Sequence, residues 1–288
     1  MIKQLFKQLS KTSLALILCS TVAAEPFVFT AIPDADETRL NARFSKVADY
    51  LEQQLGVEVN YIPVKSYAAA VSAFRNDQVQ LAWFGGLTGV QARRLTPGSE
   101  AIAQGAEDPK FRSYFIAHHS TGLNNGEQLS EKIKGMSFSF GSKSSTSGRL
   151  MPEFYLQQQF QQTPEQLFSR VGFSGNHSRT IALVQSGSYQ LGALNYQVWL
   201  KELAEGKIDL DKVSIIWTTP DYTDYQWTVR GDVDQRWGAG FKEKITKALL
   251  DMKDPALLNA FPRKAFIPAS NADYQAIEDT ARDIGLLD

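Results

Sequence analysis

Four hydroxyl side chains and a glycine, Ser144-Ser145-Thr146-Ser147-Gly148, stand between two patterned segments. Before them, Met136 to Phe140 alternates as a strand does, and Gly141 breaks it. After them, Leu150, Phe154, Leu156 and Phe160 follow helical spacing. Pro152 sets the helix start near Ser147, because proline is tolerated in a first turn but not deep inside a helix. The hydroxyls therefore crowd a helix N-terminus at the end of a strand. That place has unpaired backbone N–H groups and a partial positive charge. It is a ready anion site. The bland alternative is a single capping serine in a polar loop, and it explains one hydroxyl better than four.

Other turns repeat the arrangement. Gly85-Gly86-Leu87-Thr88-Gly89, Ser174-Gly175-Asn176-His177-Ser178 and Asn195-Tyr196 each lie between a strand end and a helix start. Ligands of open α/β sheets bind at the carboxyl ends of strands. Several helix N-termini facing one cleft hold an anion without lysine or arginine. Tyr67, at a helix start, and Tyr114, near a possible crossing between domains, are the tyrosines best placed to offer a hydroxyl. Tyr222 is a further candidate for the cleft wall. Pro220 to Tyr225 is too polar for core and suits a second crossing segment.

Catalytic constellations are scarce. No G-x-S-x-G elbow and no H-E-x-x-H occurs, and the chain has three histidines and one cysteine. His118 and His119 are adjacent on an expected strand, so they point to opposite faces and cannot serve one metal there. Neither a metal nor a cofactor is expected. His177 could pair with Ser147 as the couple of a secreted serine hydrolase. It could equally donate to a bound oxyanion, or be no more than a polar residue at a helix start.

Residues 1–24 read as an export signal. Lys3, Lys7 and Lys11 precede the apolar run Leu14 to Cys19, and Val22-Ala23-Ala24 supplies a small-residue cleavage site. The run is too short to span a bilayer. Cys19 follows Leu18, where lipidation wants a small residue. Cleavage removes the only cysteine, so the exported chain must be held by its core. What remains is acidic on balance and carries no basic patch for nucleic acid.

Strands are expected at 27–32, 57–62, 80–84, 111–118, 136–140, 171–173, 191–194 and 213–217. Helices are expected at 38–55, 67–74, 148–160, 234–251 and 271–285, with two more ending near Gly187 and Gly206. The alternation argues for α/β architecture.

The chain resembles the periplasmic solute-binding proteins of phosphate, phosphite and phosphonate ABC importers. The resemblance is carried by Val79-Gln80-Leu81-Ala82-Trp83-Phe84-Gly85-Gly86 and by Phe138 to Gly141 running through Ser145-Thr146-Ser147-Gly148 to Pro152. Gly192 to Asn195 and Trp217 to Pro220 add to it. Ala31 to Asp34, Pro63 to Ala69 and Trp83 to Ala92 look most like a branch described as selenate-importer binding proteins. The resemblance implies a two-lobed periplasmic-binding-protein fold with a ligand cleft and two crossing strands. It implies lobe 1 at 25–116 plus 219–288 and lobe 2 at 117–218. It implies that Ser145, Thr146 and Ser147 cradle a tetrahedral oxyanion, with Tyr67, Tyr114 and His177 as further donors. Asn195 stands where relatives that bind aminophosphonates carry an acid, which speaks against amine-bearing ligands. The implied protein is a periplasmic monomer, not an enzyme, that hands a selenate-like anion, phosphonate or phosphite to an inner-membrane permease. A sensor domain for a membrane kinase is a further reading. Whether Asp221 or Asp224 faces the ligand is left open by the sequence.

Overall fold

The structure, a computed structural model, describes residues 25–35 and 37–287. The export signal expected at 1–24 lies outside the described residues. In chain order the strands are β1 (Phe27–Ala31), β2 (Val59–Tyr61), β3 (Leu81–Phe84), β4 (Glu100–Gly105), β5 (Ser113–His118) and β6 (Ser137–Phe140). They continue as β7 (Arg170–Phe173), β8 (Leu191–Asn195), β9 (Val213–Thr218), β10 (Gln226–Val229) and β11 (Phe266–Pro268). Two mixed sheets result, ordered β11-β4-β10-β3-β1-β2 and β7-β6-β8-β5-β9. Each sheet with its covering helices forms one lobe.

The first lobe's core is aromatic. Phe29 on β1 meets Phe44 of the helix Glu37–Leu55, and Phe44 stacks on Tyr61 at 4.9 Å. On the same sheet Trp83 and Trp227, opposite each other on β3 and β10, pack with Phe261 and Phe266. In the second lobe the strand period of two splits the core. Phe115 of β5 packs with Phe138, Leu156 and Phe168 on one face. Its neighbour Ile116 packs with Ile181, Leu194 and Trp199 on the other. A strand buried on both faces reads as a continuous apolar run.

The chain crosses between lobes twice. β5 pairs with β8 and β9 along its whole length, from Ser113 to His118. The boundary placed after residue 116 therefore falls inside a strand of the second sheet. The first crossing is the segment 106–112, and the second is 219–225. They are tied side by side, Phe111 N–H to Tyr222 C=O at 2.8 Å and Tyr222 N–H to Phe111 C=O at 3.0 Å. The second crossing is not the exposed polar segment its composition suggests, because Tyr222, Asp224 and Tyr225 are all buried.

Other departures have local causes. The helix expected at 234–251 is broken into Val233–Trp237 and Phe241–Leu250, because Gly238 and Gly240 both take positive φ. The helix expected at 148–160 starts as one wide turn at Thr146–Leu150 before Met151–Phe160.

A buried ion pair anchors the first crossing. Arg263 Nη2 lies 2.6 Å from Asp108 Oδ1, with side-chain exposures of 2% and 0%. Arg263 Nε donates to both Asp108 oxygens at 3.0 Å, and Gly105 N–H donates to Oδ2 at 2.7 Å. The guanidinium also lies over the rings of Phe111 and Tyr225. Removing one partner leaves the other charge buried alone. Arg263→Met should therefore cost about 3–5 kcal/mol of stability. Urea unfolding at neutral pH checks this, and a loss below about 1 kcal/mol would contradict it.

Candidate functional site

Two helix N-termini meet head to head between the lobes. In the first lobe, β3 ends at Phe84 and the helix Gly86–Leu95 begins after Gly85. In the second, β6 ends at Phe140 and the turn at Thr146 begins after Ser145. Leu87 N–H donates to Thr146 Oγ1 across the gap at 3.0 Å, and Thr88 Oγ1 donates to Ser144 C=O at 2.9 Å. Glycine suits this close approach. A Cβ on Gly85 would lie 3.2 Å from Asp224 Oδ1 and 3.3 Å from Thr146 Oγ1. A Cβ on Gly148 would lie 3.0 Å from His177 Cε1.

Asp224 sits at this junction. Its Oδ1 accepts the Gly86 N–H at 2.9 Å. Its Oδ2 is buried with no hydrogen-bond partner, and so is Ser147 Oγ. The Thr146 and Ser147 hydroxyls lie near enough to favour the ionised carboxylate, but Ser147 does not reach hydrogen-bonding geometry. Burial dominates and pushes the Asp224 carboxyl up to about 7, with Gly86 N–H pulling the other way. Asp221 points elsewhere. It pairs with Arg112 at 2.6 Å on the exposed side of the crossing.

The expected donors come together with one exception. Ser145 Oγ caps the turn by accepting Gly148 N–H at 3.0 Å and lies beside Tyr67. Tyr67 Oη lies 3.5 Å from His177 Nε2. Tyr222 Oη lies 2.6 Å from Ser113 Oγ, which also donates to Ser147 C=O at 2.7 Å. Tyr67, Ser145, Thr146, Ser147 and His177 are all at most 2% exposed. Burial holds the Tyr67 and Tyr222 hydroxyls well above the usual phenol range, so both keep their protons.

Tyr114 is the exception. Alternation along β5 sends Ser113 toward Ser147, so Tyr114 projects to the opposite face and packs edge-on against Tyr196 at 6.0 Å. Asn195 is brought to the site's edge but does not offer its side chain to it. Its Oδ1 caps the helix Tyr196–Ala204, and its amide nitrogen donates to Tyr225. Ser113 was the residue missed, and nothing in the sequence marked it. Of the two acids left open, Asp221 and Asp224, it is Asp224 that lies at the junction.

His177 is a fixed neutral donor. Asn195 N–H donates to Nδ1 at 3.3 Å, which puts the ring proton on Nε2, facing Tyr67. Burial pushes the imidazole down to about 3. Both ring nitrogens are thus engaged away from Ser147, and Ser147 Oγ has no hydrogen-bond partner. The hydrolase reading of Ser147 and His177 finds no nucleophile–base couple.

Comparison with known proteins agrees. Residues 29–274 match the family model of the ABC transporter phosphonate periplasmic substrate-binding protein. The probable ABC transporter phosphite binding protein PhnD1 of Prochlorococcus marinus (strain MIT 9301) is 40% identical, with 96% of this chain and 97% of that one covered. The structure of that PhnD1 with methylphosphonate superposes with a TM-score of 0.86 over 91% of this chain and 99% of the other. The phosphonates-binding periplasmic protein of Escherichia coli K12 is 25% identical over 67% of this chain and 57% of its own length. A phosphonate-transporter binding component from Pseudomonas aeruginosa, 20% identical, shares the fold with a TM-score of 0.77 over 89% of this chain and 85% of its own.

A prediction follows from His177. Its folded pKa of about 3 lies below the ordinary 6.5, so the unfolded chain binds the proton first. The contribution is fully present above about pH 6.5 and is lost as pH falls toward 3. His177→Gln should flatten that part of the stability profile, measured by urea unfolding between pH 7 and 4. Equal slopes for the two proteins would show that His177 protonates in the folded state.

The chain belongs to the periplasmic substrate-binding proteins of phosphonate ABC transporters, which bind and carry rather than catalyse.

Proposed function

We propose that this protein is the periplasmic receptor of an ABC importer for a small phosphorus oxyanion that carries one proton, phosphite or methylphosphonate being the model ligands. It is exported by the signal at 1–24, acts as a monomer and passes its ligand to a membrane permease. The observation that carries the ligand class is the buried, unpartnered Asp224 Oδ2 beside the unpartnered Ser147 hydroxyl.

The donor set supports it. Ser147 has a hydroxyl to give. Thr146 accepts from Leu87, and its own O–H lies beside Asp224 at the same junction. Tyr67 accepts a hydrogen bond from His177 Nε2–H and lies beside Ser145, so its own O–H faces the turn. Two helix N-termini add their dipoles. Donors alone would suit a fully ionised anion such as selenate. Asp224 changes the preference, because a protonated oxyanion brings an O–H that needs an acceptor. An unmet buried polar group costs about 1–3 kcal/mol. The names of the Prochlorococcus protein and its complex, phosphite-binding and with methylphosphonate, point the same way.

Two predictions test the proposal. Ser147→Ala should weaken phosphite binding by about ten- to a hundredfold with little loss of stability, since its hydroxyl holds nothing within the protein. Unchanged affinity by calorimetry would remove Ser147 from the cradle.

The second concerns protons. With Asp224 near 7, a bound selenate requires the acid form, so its affinity falls as pH rises through about 7. Phosphite shares one proton with Asp224. It must release one below both pKa values and gain one above both, so its affinity peaks near neutrality. Asp224→Asn mimics the acid form. It should lower the phosphite-to-selenate affinity ratio by at least about tenfold and make selenate binding insensitive to pH. Competition calorimetry from pH 5.5 to 9 decides it. Preference for selenate in the parent protein would overturn the proposed ligand class.

A further inference from the structure

Two buried hydroxyls behind the Ser147 turn hold their protons in a fixed order. Ser113 Oγ lies 2.7 Å from Ser147 C=O and 2.6 Å from Tyr222 Oη. A carbonyl only accepts, so the single Ser113 hydroxyl proton goes to Ser147. Tyr222 must then donate to Ser113. Ser113 is fully buried, and its backbone is tied to the second crossing. Its N–H donates to Thr219 Oγ1 at 3.0 Å, and its C=O accepts Thr219 N–H at 3.1 Å. The Ser147 hydroxyl also lies beside Tyr222 Oη and has no hydrogen-bond partner. The unpartnered Asp224 Oδ2 belongs to the same junction. With its proton committed to Ser113, Tyr222 presents lone pairs there and no donor.

We propose that Ser113 is a positioning residue that sets ligand specificity: by taking the Tyr222 proton it makes Tyr222 an acceptor beside Ser147, which favours an oxyanion carrying an O–H. The inference rests on the phosphorus-oxyanion reading above and adds a second acceptor to it. Asp224 can take up a proton and then donate to a fully ionised anion. Tyr222 has no such alternative while Ser113 holds its proton. A dianion such as selenate therefore meets an oxygen without a proton to give, whereas the O–H of a protonated phosphorus oxyanion finds a partner. Ser113 acts through Tyr222, not on the ligand.

Calorimetry with phosphite and with selenate at neutral pH tests this. Ser113→Ala frees the Tyr222 proton to turn toward Ser147 and should lower the phosphite-to-selenate affinity ratio by about tenfold. Loss of the bond to Ser147 C=O weakens both anions alike and cancels in the ratio. Tyr222→Phe removes the lone pairs and should lower the ratio by at least about threefold. A Tyr222 that donated to the anion would give a rise instead. In the Tyr222→Phe background, Ser113→Ala should change the ratio by less than about twofold, because its effect runs through the phenol. Thermal unfolding reports that each variant folds; if Ser113→Ala does not, the sign of the Tyr222→Phe change decides alone. A ratio that either folded variant fails to lower overturns the role of Ser113 and leaves the ligand reading standing. So does a full Ser113→Ala effect in the Tyr222→Phe background. A parent protein that prefers selenate overturns the ligand reading itself, and this inference with it.

Discussion

The rest of the site depends on a carboxyl group buried where a helix begins. Asp224 takes the Gly86 N–H of the first lobe and meets the Thr146 turn of the second. Taking a carboxylate out of water is costly, and no buried cation pairs with Asp224 among the contacts described. Its partners are an N–H, the dipole of the helix Gly86–Leu95 and nearby hydroxyls. The group is therefore held between its two protonation states near neutral pH. That balance ties a proton to whatever anion approaches. It also accounts for the glycine at 85, where a Cβ would crowd the carboxylate.

The same junction draws on both lobes. Gly86, Leu87, Tyr67 and Asp224 belong to the first lobe, whereas Thr146, Ser147 and His177 belong to the second. No lobe owns a complete set of donors. The hydrogen bonds Leu87–Thr146, Thr88–Ser144 and Asn195–Tyr225 exist only while the lobes are together. The paired crossings at Phe111 and Tyr222 tie the lobes together at a second place. Hinge closure about such a pair brings the halves into register without rebuilding either lobe.

Much of this was legible in the sequence, for reasons that differ by residue. The Ser145-Thr146-Ser147-Gly148 turn declared itself because a strand period, a glycine and an early proline all agreed on where the helix begins. The α/β alternation was readable from long, strongly patterned helices such as Glu37–Leu55. Strands β4, β10 and β11 were not. Glu100–Gly105 is rich in alanine, and Phe266–Pro268 is too short to show a period. Gln226–Val229 is buried at every position and follows an aromatic crossing that masks its start. Tyr114 was misjudged by one residue. On a strand that shift reverses the face, so Ser113 took the place expected for it. Asn195 sat at the right position with the wrong employment. Its carbonyl is spent on a helix cap, which only the three-dimensional partner at Tyr225 reveals.

The use of neutral donors has a consequence for release. An arginine against the anion would carry its full charge into the open state and hold the ligand on one lobe. Here the favourable potential comes from N–H groups and helix ends, whose influence falls off within a turn. Separating the lobes removes roughly half of the donors at once and lets water reach both Asp224 and the anion. On the proposed reading, capture between closed lobes and release on opening would follow from a single arrangement. The candidate donors are divided between the two lobes, and burial is the main cause that keeps the Asp224 carboxyl near neutrality.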